Sequence, residues 1–255
     1  MRRREKFVVG SIILTLCLLA VQYTPLDIRY LAIAIFTFIT YIISTWALSS
    51  DLQPHERLTV VPFPALYATS VALFNFLLPE NFLNQLTILI LFGVGMYALF
   101  LTSNIFSVAK GRTIQLLHAA YAIGSIFGVL ISLLFSNTIF SLKLPFYFNF
   151  LLISLVHFPL VFMLLWSVTL EEKINKELVS FSFILSLVLG ELALVLSFFP
   201  ITIWYNSLFV MSFFYIGIGL MQSFIKGRLF LRTFVEYSLV AAFVGVMFLL
   251  AFPMK

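Results

Sequence analysis

The chain has 255 residues, of which 62% are hydrophobic and 10% are charged, and its mean hydropathy is +1.13. Because a soluble domain is typically about 45–50% apolar and about 25% charged, this chain has too few polar side chains to coat a soluble core, and the same composition excludes disorder and collagen. The net charge of +5 comes from short basic clusters between apolar stretches, a pattern that indicates membrane topology and no nucleic-acid partner.

Nine apolar stretches occupy the chain, and each is about as long as the roughly 20 residues that a helix needs to cross a bilayer. The stretches are continuous, whereas the strands of a membrane barrel alternate between apolar and polar residues. The predicted spans are 7–23, 28–48, 59–78, 86–106, 114–135, 146–168, 178–199, 204–224 and 233–252. We therefore predict an all-α fold, a polytopic transmembrane helix bundle that forms one domain over 1–255, contacts the lipid bilayer and has no soluble domain.

The basic residues predict the orientation of these spans. The first span follows the basic segment 2–6 and has no small-x-small cleavage site, so we expect a retained signal anchor. With the N-terminus in the cytoplasm, 12 of the 15 Lys and Arg residues lie on the inner side. The inner residues are Arg2, Arg3, Arg4, Lys6, Arg57, Lys110, Arg112, Lys173, Lys176, Lys226, Arg228 and Arg232, and the outer residues are Arg29, Lys143 and Lys255. This positive-inside asymmetry predicts an N-in, C-out topology.

A shift of 120 residues aligns several features of the two halves of the chain. Trp46 then meets Trp166, and Arg112 meets Arg232. The shift maps spans 2–5 onto spans 6–9 in the same orientation, as in transporters built from parallel repeats. The two Lys-Gly-Arg loops prefer a shift of 116, which leaves accidental similarity as the alternative. The predicted four-helix repeats are 25–135 and 145–252.

Two acidic residues fall inside predicted spans, Glu191 and Glu236. An acid inside a bilayer costs about 2–3 kcal/mol on insertion scales, so it usually faces protein and is often functional. Glu191 lies near the middle of span 7, and His157 lies at the middle of span 6, each 17 residues from a turn centred near Ile174. Three outcomes stay open: the pair shares a proton in a relay, it forms a fixed hydrogen bond between helices, or the two side chains never meet.

Four further polar residues lie near the predicted cytoplasmic ends of spans. Glu236 follows Arg232 by one helical turn, a spacing that favours an ion pair at the interface. Gln222 lies at the depth of Glu236 on the preceding span. His118 and Gln115 enter span 5 beside a basic loop. A cluster of these side chains would favour an enzyme.

Small residues recur at every fourth position in two spans, and such stripes let helix backbones approach closely. The stripes are Ala120, Gly124, Gly128 and Ser132 in span 5, and Ser182, Ser186 and Gly190 in span 7. Pro159 lies beside His157 and has no backbone N–H, so we expect it to free a carbonyl one turn earlier. The small-residue stripes indicate close packing of helices, and Pro159 indicates a bend in its helix.

The sequence lacks the motifs of several common enzyme and cofactor-binding classes. The sequence has no P-loop, no HExxH and no rhomboid-type GxSG, and the Gly-x-Gly segments 93–95 and 217–219 lie inside apolar stretches. The single cysteine, Cys17, excludes an intrachain disulfide and a thiolate zinc site. The three histidines lie at different depths or in a loop, which argues against a bis-histidine haem. We expect no metal and no cofactor.

The segments 110–118, 166–174, 188–193 and 227–233 resemble those of a family of uncharacterised bacterial multi-pass membrane proteins. The similarity runs through most of the chain. It implies a location in the bacterial cytoplasmic (inner) membrane. The family has no assigned activity, so the resemblance implies no catalytic or binding residue.

Three functional hypotheses follow. The leading one is a secondary transporter or proton-coupled carrier of a small or lipid-like solute, with His157 and Glu191 handling the proton. The second is a non-catalytic scaffold or assembly subunit that binds membrane-protein partners or a second copy of itself. The third is a membrane-embedded lipid-modifying enzyme. A carrier needs a polar cavity that Glu191 reaches. A scaffold needs an apolar groove or a flat face for its partner. An enzyme needs a cluster of polar side chains at one membrane interface.

Overall fold

A computed structural model describes residues 2–50, 52–53, 56–79, 81–109, 115–170 and 175–251. Six of the residues named above fall outside this part of the chain, five completely and one in its side chain. They are Lys110, Arg112, Lys173, Ile174 and Lys255, and the side chain of Gln115.

The described segments form helices, and nine helical stretches, one of which combines two helices over Glu56–Asn75, are long and apolar enough to span a bilayer. The predicted all-α class and number of spans are confirmed within this part of the chain, whereas the orientation stays a prediction. The helices are α1 (Arg3–Gln22), α2 (Arg29–Leu48), α3 (Glu56–Thr59), α4 (Pro62–Asn75), α5 (Phe82–Val108), α6 (Gln115–Ser141), α7 (Phe146–Thr169), α8 (Lys176–Leu196), α9 (Ile203–Ile225) and α10 (Leu231–Ala251).

The third span differs from the prediction because it consists of two helices, the short α3 and the longer α4. Pro62 begins α4, where its missing N–H is no loss because the first helical N–H groups have no acceptor in the helix. The same missing donor prevents one continuous helix from running through this position. The carbonyl of Glu56 instead accepts the N–H of Val60 at 2.8 Å, which closes the last turn of α3.

The chain divides into two compact units, Met1–Phe127 and Gly128–Lys255, with the boundary inside α6. In the first unit, α2 packs against α4, and α1 packs against α2 and α5. Thr37 and Thr69 join α2 to α4 through their hydroxyl groups, 2.7 Å apart. The ring of Tyr67 stacks on Phe92 with a centroid distance of 5.6 Å. The first unit is therefore a bundle held by apolar packing and a few hydroxyl contacts.

The second unit is built on the α7–α8 hairpin, with α9 against both helices and α10 against α9. The predicted small-residue stripe of α8 lies in the hairpin seam, since Ser182, Ser186 and Gly190 are all buried. A Cβ atom on Gly190 would lie 2.8 Å from the carbonyl oxygen of Phe150 and would also collide with the Ser154 hydroxyl. Only a glycine lets the two backbones approach this closely.

Candidate functional site

His157 lies at the middle of α7 and is fully buried. Its Nδ1 atom is 2.8 Å from the carbonyl oxygen of Ile153, and its Nε2 atom is 2.8 Å from the hydroxyl oxygen of Ser132 on α6. The edge of the ring meets Phe214 on α9 at a centroid distance of 5.6 Å. This one side chain therefore joins three helices of the second unit.

These contacts define which nitrogen of His157 carries the proton. A carbonyl oxygen can only accept, so Nδ1 must donate to Ile153. In the neutral imidazole, Nε2 is then the acceptor and takes the hydroxyl proton of Ser132. Both nitrogens are satisfied without a net charge, which is the favourable state for a group that is 0% exposed.

A Ser–His hydrogen bond is also the first element of nucleophilic catalysis, in which histidine takes the serine proton as the substrate is attacked. Here Ser132 and His157 are each 0% exposed, and the group that orients the ring is a backbone carbonyl. The arrangement supports a fixed polar bridge between α6 and α7 more directly than an active site.

Glu191 does not lie beside His157. Its side chain is exposed on the outer surface of α8, and it makes no hydrogen bond or ion pair with any described residue. The structure therefore does not bring Glu191 and His157 together. The expected equal depth was wrong because α7 ends at Thr169 and α8 begins at Lys176, so the hairpin midpoint precedes residue 174. Gly190 consequently faces Ser154 and not His157.

An apolar groove runs between α7 and α8 on the exposed side of the hairpin, with a cavity volume of about 440 Å³. Its walls are Phe150, Leu151, Ser154, Leu155 and Phe158 of α7, and Phe183, Ser186 and Leu187 of α8. We call this feature the α7–α8 groove. The rings of Phe158 and Phe183 meet edge to face, with a centroid distance of 6.4 Å, at the end of the groove nearer the start of α8. Glu191 follows Leu187 by four residues and so lies on the same helix face, beyond the other end of the groove.

Two hydrogen-bond acceptors belong to the helices that form this groove. One is the carboxylate of Glu191, which forms no hydrogen bond or ion pair with a described residue. The other is the backbone carbonyl of Leu155, which cannot receive the usual helical hydrogen bond because the residue four positions later is Pro159. The hydroxyl oxygen of Ser154 is also buried without a partner. The groove is therefore apolar along its length.

The secondary candidates do not form a cluster within the second unit. Glu236 pairs with Arg232 at 3.3 Å, and the pair is largely exposed, so the predicted i, i+4 ion pair is confirmed. Gln222 instead donates from Nε2 to the carbonyl oxygen of Leu164 on α7, at 3.0 Å. Glu236 and Gln222 therefore interact with different residues and not with each other.

In the first unit, His118 is exposed near the start of α6, and its ring meets that of Tyr121 edge to face with a centroid distance of 6.4 Å. Gln115 begins the same helix. Among the residues that the structure describes, no group of three His, Cys, Asp or Glu side chains is placed to hold a metal ion.

Sequence reasoning missed one buried acid, Glu56. It is 0% exposed, and its Oε2 atom accepts the backbone N–H of Gln53 at 2.8 Å. Glu56 is the first residue of α3, and its carboxylate reaches back to the backbone of the segment that precedes the helix. The predicted spans 28–48 and 59–78 left Glu56 in the loop between them.

A family model described as a protein of unknown function (DUF5656) matches residues 11–251. No curated protein and no solved structure matches the chain.

Proposed function

We propose that this chain, which belongs to the DUF5656 family of proteins of unknown function, is a non-catalytic subunit of a bacterial cytoplasmic membrane that binds a transmembrane helix of a different protein in the α7–α8 groove. One observation carries the proposal. Glu191 lies exposed on a membrane-length helix beyond one end of the groove, and no described residue forms a hydrogen bond or ion pair with it.

The depth of Glu191 explains why a partner is needed. Glu191 lies five residues before the end of α8, about 7–8 Å at a rise of 1.5 Å per residue. Acyl chains at that depth offer no hydrogen bond, and a charged side chain that faces them costs about 2–3 kcal/mol near the centre and less towards the interface. A partner that covers the carboxylate would remove this penalty.

The groove also restricts the chemistry of the partner. Its apolar walls fit apolar side chains of a helix, and the exposed carboxylate of Glu191 beside it calls for a hydrogen-bond donor. A lysine, arginine or amide side chain at the matching depth supplies one. We therefore expect the partner helix to be apolar except for a single donor residue that meets Glu191.

A second copy of this chain is a poorer occupant. None of its 15 Lys and Arg residues falls deep inside a predicted span, so a second copy has no cation to place against Glu191. Its outer basic residues, Arg29 and Lys143, lie at a helix end and in a loop.

The carrier hypothesis has less support from the same geometry. It needs His157 and Glu191 to exchange a proton, but both nitrogens of His157 are hydrogen-bonded to protein atoms and Glu191 is level with Ser154. Proton flux in proteoliposomes separates the two functions. A subunit without carrier activity gives the same flux with the native chain, with Glu191→Gln and with empty liposomes.

The test of the proposed function is site-specific photocrosslinking in intact cells that express the full chain. A photoreactive phenylalanine analogue replaces Leu187 in the groove, and the matched control replaces Leu239 on the exposed face of α10. We expect a discrete protein adduct from position 187 alone, lost when Glu191→Leu is added. The thermal stability of Glu191→Leu is expected to equal or exceed that of the native chain, which separates loss of binding from loss of folding.

Identification of the adduct by mass spectrometry then allows a charge exchange. Glu191→Lys should abolish the adduct, and replacing the basic residue of the partner helix by Glu should restore it. Adducts with lipid alone, or with a second copy of this chain, would contradict the proposal.

A further inference from the structure

A small polar pocket lies at one end of the first unit, where several helix ends meet. It is lined by the end of α1, the start of α2, the end of α4 and the start of α5, and its volume is about 50 Å³. The polar side chains in its wall are Gln22, Arg29, Asn75, Asn84 and Gln85. The volume is of the order of one small anionic group. The predicted topology places this pocket at the outer headgroup level of the membrane.

Arg29 is the only one of these wall side chains that carries a charge. Its guanidinium carbon lies 4.8 Å from the centroid of the Phe76 ring, which holds the cation against an aromatic face. No carboxylate among the described residues pairs with it, and its Nε atom is buried without a hydrogen-bond partner. A buried guanidinium N–H without an acceptor is costly unless a ligand supplies one.

The surrounding amides and helix ends strengthen the preference for an anion. Asn81 precedes α5 without a side-chain cap, so the first N–H groups of this 27-residue helix have no side-chain acceptor from that position. Asn84 and Gln85, in the first turn of α5, line the pocket. The positive end of the helix dipole and the charge of Arg29 therefore act on the same small volume.

A second buried polar atom without a hydrogen-bond partner restricts the chemical class of the ligand. Gln22 donates from Nε2 to Oδ1 of Asn75 at 3.2 Å, and its own Oε1 is buried without a partner. The pocket therefore offers donors to an anion and one acceptor to a hydroxyl group. A phosphate group with a P–OH, or with a neighbouring alcohol, has both functions, whereas a chloride or a simple carboxylate has only the first.

We propose that this pocket binds a phosphate group, with Arg29 as the charged ligand and Gln22 as the acceptor for an adjoining hydroxyl. The binding accounts for a positive charge on the predicted outer side, where the positive-inside rule disfavours one. The phosphate can come from a lipid headgroup such as phosphatidylglycerol or from inorganic phosphate, and the two sources share this chemistry. The site does not depend on the α7–α8 groove.

The experiment uses the full chain purified in detergent, with two probes. Native mass spectrometry measures retention of phosphatidylglycerol against phosphatidylcholine, and thermal unfolding measures stabilisation by inorganic phosphate. Arg29→Gln is the test variant. Arg29→Lys keeps the positive charge but loses the paired N–H donors of the guanidinium. Lys143→Gln is the matched control, because it removes another positive charge on the predicted outer side.

For Arg29→Gln we expect at least a tenfold loss of phosphatidylglycerol retention, with partial retention in Arg29→Lys and native retention in Lys143→Gln. If inorganic phosphate also stabilises the native chain but not Arg29→Gln, the phosphate group alone is sufficient. If phosphatidylglycerol alone distinguishes the variants, the lipid headgroup is the ligand. Equal losses in Arg29→Gln and Lys143→Gln, or no loss in Arg29→Gln with either probe, would overturn the proposal.

Discussion

A single hydrogen bond between Ser132 and His157 connects α6 to α7 in the interior of the second unit. Most serines and threonines of this chain bond to carbonyls of their own helix, as Thr138 does to Leu134. Ser132 differs because an imidazole acceptor lies within reach on a neighbouring helix. The sequence indicated Ser132 only as a member of a small-residue stripe, since spacing along one helix carries no information on which side chain lies opposite.

A double-mutant cycle tests the strength of this bridge. We expect Ser132→Ala, His157→Ala and the double variant to show a coupling of about 0.6 kcal/mol, the average for hydrogen bonds between membrane helices, with about 1.7 kcal/mol as the upper end. His157→Ala alone should destabilise more than Ser132→Ala, because it also leaves a cavity beside Phe214. Unfolding in detergent measures the four free energies. A coupling of zero would contradict the bridge.

At the scale of helices, the α7–α8 seam depends on the absence of a side chain at Gly190. A Cβ atom there would meet both the Ser154 hydroxyl and the backbone of Phe150, and the backbone cannot rotate away. Gly190→Ala should therefore lower the free energy of unfolding by about 1–3 kcal/mol. Gly245→Ala in α10 is the matched control, since nothing lies within 4 Å of its added Cβ. The unfolding midpoints of the two variants in the same detergent provide the measurement, and equal midpoints would refute the expectation.

The turn after α9 gives a second prediction at this scale. Gly227 has a φ of +62°, and the N–H of Arg228 donates to the carbonyl of Ser223 at 2.9 Å, as in a Schellman motif. Because nothing surrounds its missing Cβ, Gly227→Ala changes only the backbone preference and should cost about 1 kcal/mol locally. Gly227→Asn should cost less, since asparagine tolerates this conformation. Proteolytic cleavage between α9 and α10 should be faster in the alanine variant, and equal rates in both variants would count against this explanation.

The existence of each helix could be predicted from the sequence, but the register between helices could not. Apolar length determines which segments span a bilayer, and it located all nine spans within the described residues. To predict which residues of two antiparallel helices lie at the same depth, the ends of both helices must be known to within one residue. The mostly polar segment 170–177 left those ends ambiguous. An error of about 1.5 residues in the hairpin centre moved the expected partner of Glu191 from Ser154 to His157.

For the whole molecule, the orientation remains a prediction from charge. The single native cysteine makes it simple to test, since Cys17→Ala gives a cysteine-free background. We expect a membrane-impermeant maleimide to label Thr202→Cys in intact cells, and to label Ser50→Cys only after permeabilisation. Both positions are exposed, one between α8 and α9 and the other between α2 and α3. The opposite labelling pattern would reverse the predicted topology.

Three helices in each compact unit have the same pattern of neighbours. In the first, α2, α4 and α5 each pack against the other two, and in the second, α7, α8 and α9 do so. A shift of 120 residues relates these helices in the same order, which is what the predicted repeats 25–135 and 145–252 require. The unit boundary after Phe127 does not coincide with the ends of those repeats, so the repeat stays a prediction.

The packing of α10 mainly against one helix, α9, has a consequence for how two molecules can interact. Val244 is the only buried residue in 231–250, and α10 rests on α9 through Tyr237 against Gly219 and Phe248 against Phe209. Detaching α10 sideways in the bilayer would leave the hairpin seam of α7 and α8 intact. If the turn at Gly227 straightened and gave up its own hydrogen bonds, two neighbouring copies would be able to exchange their last helices and form a swapped dimer that keeps the contacts between α9 and α10.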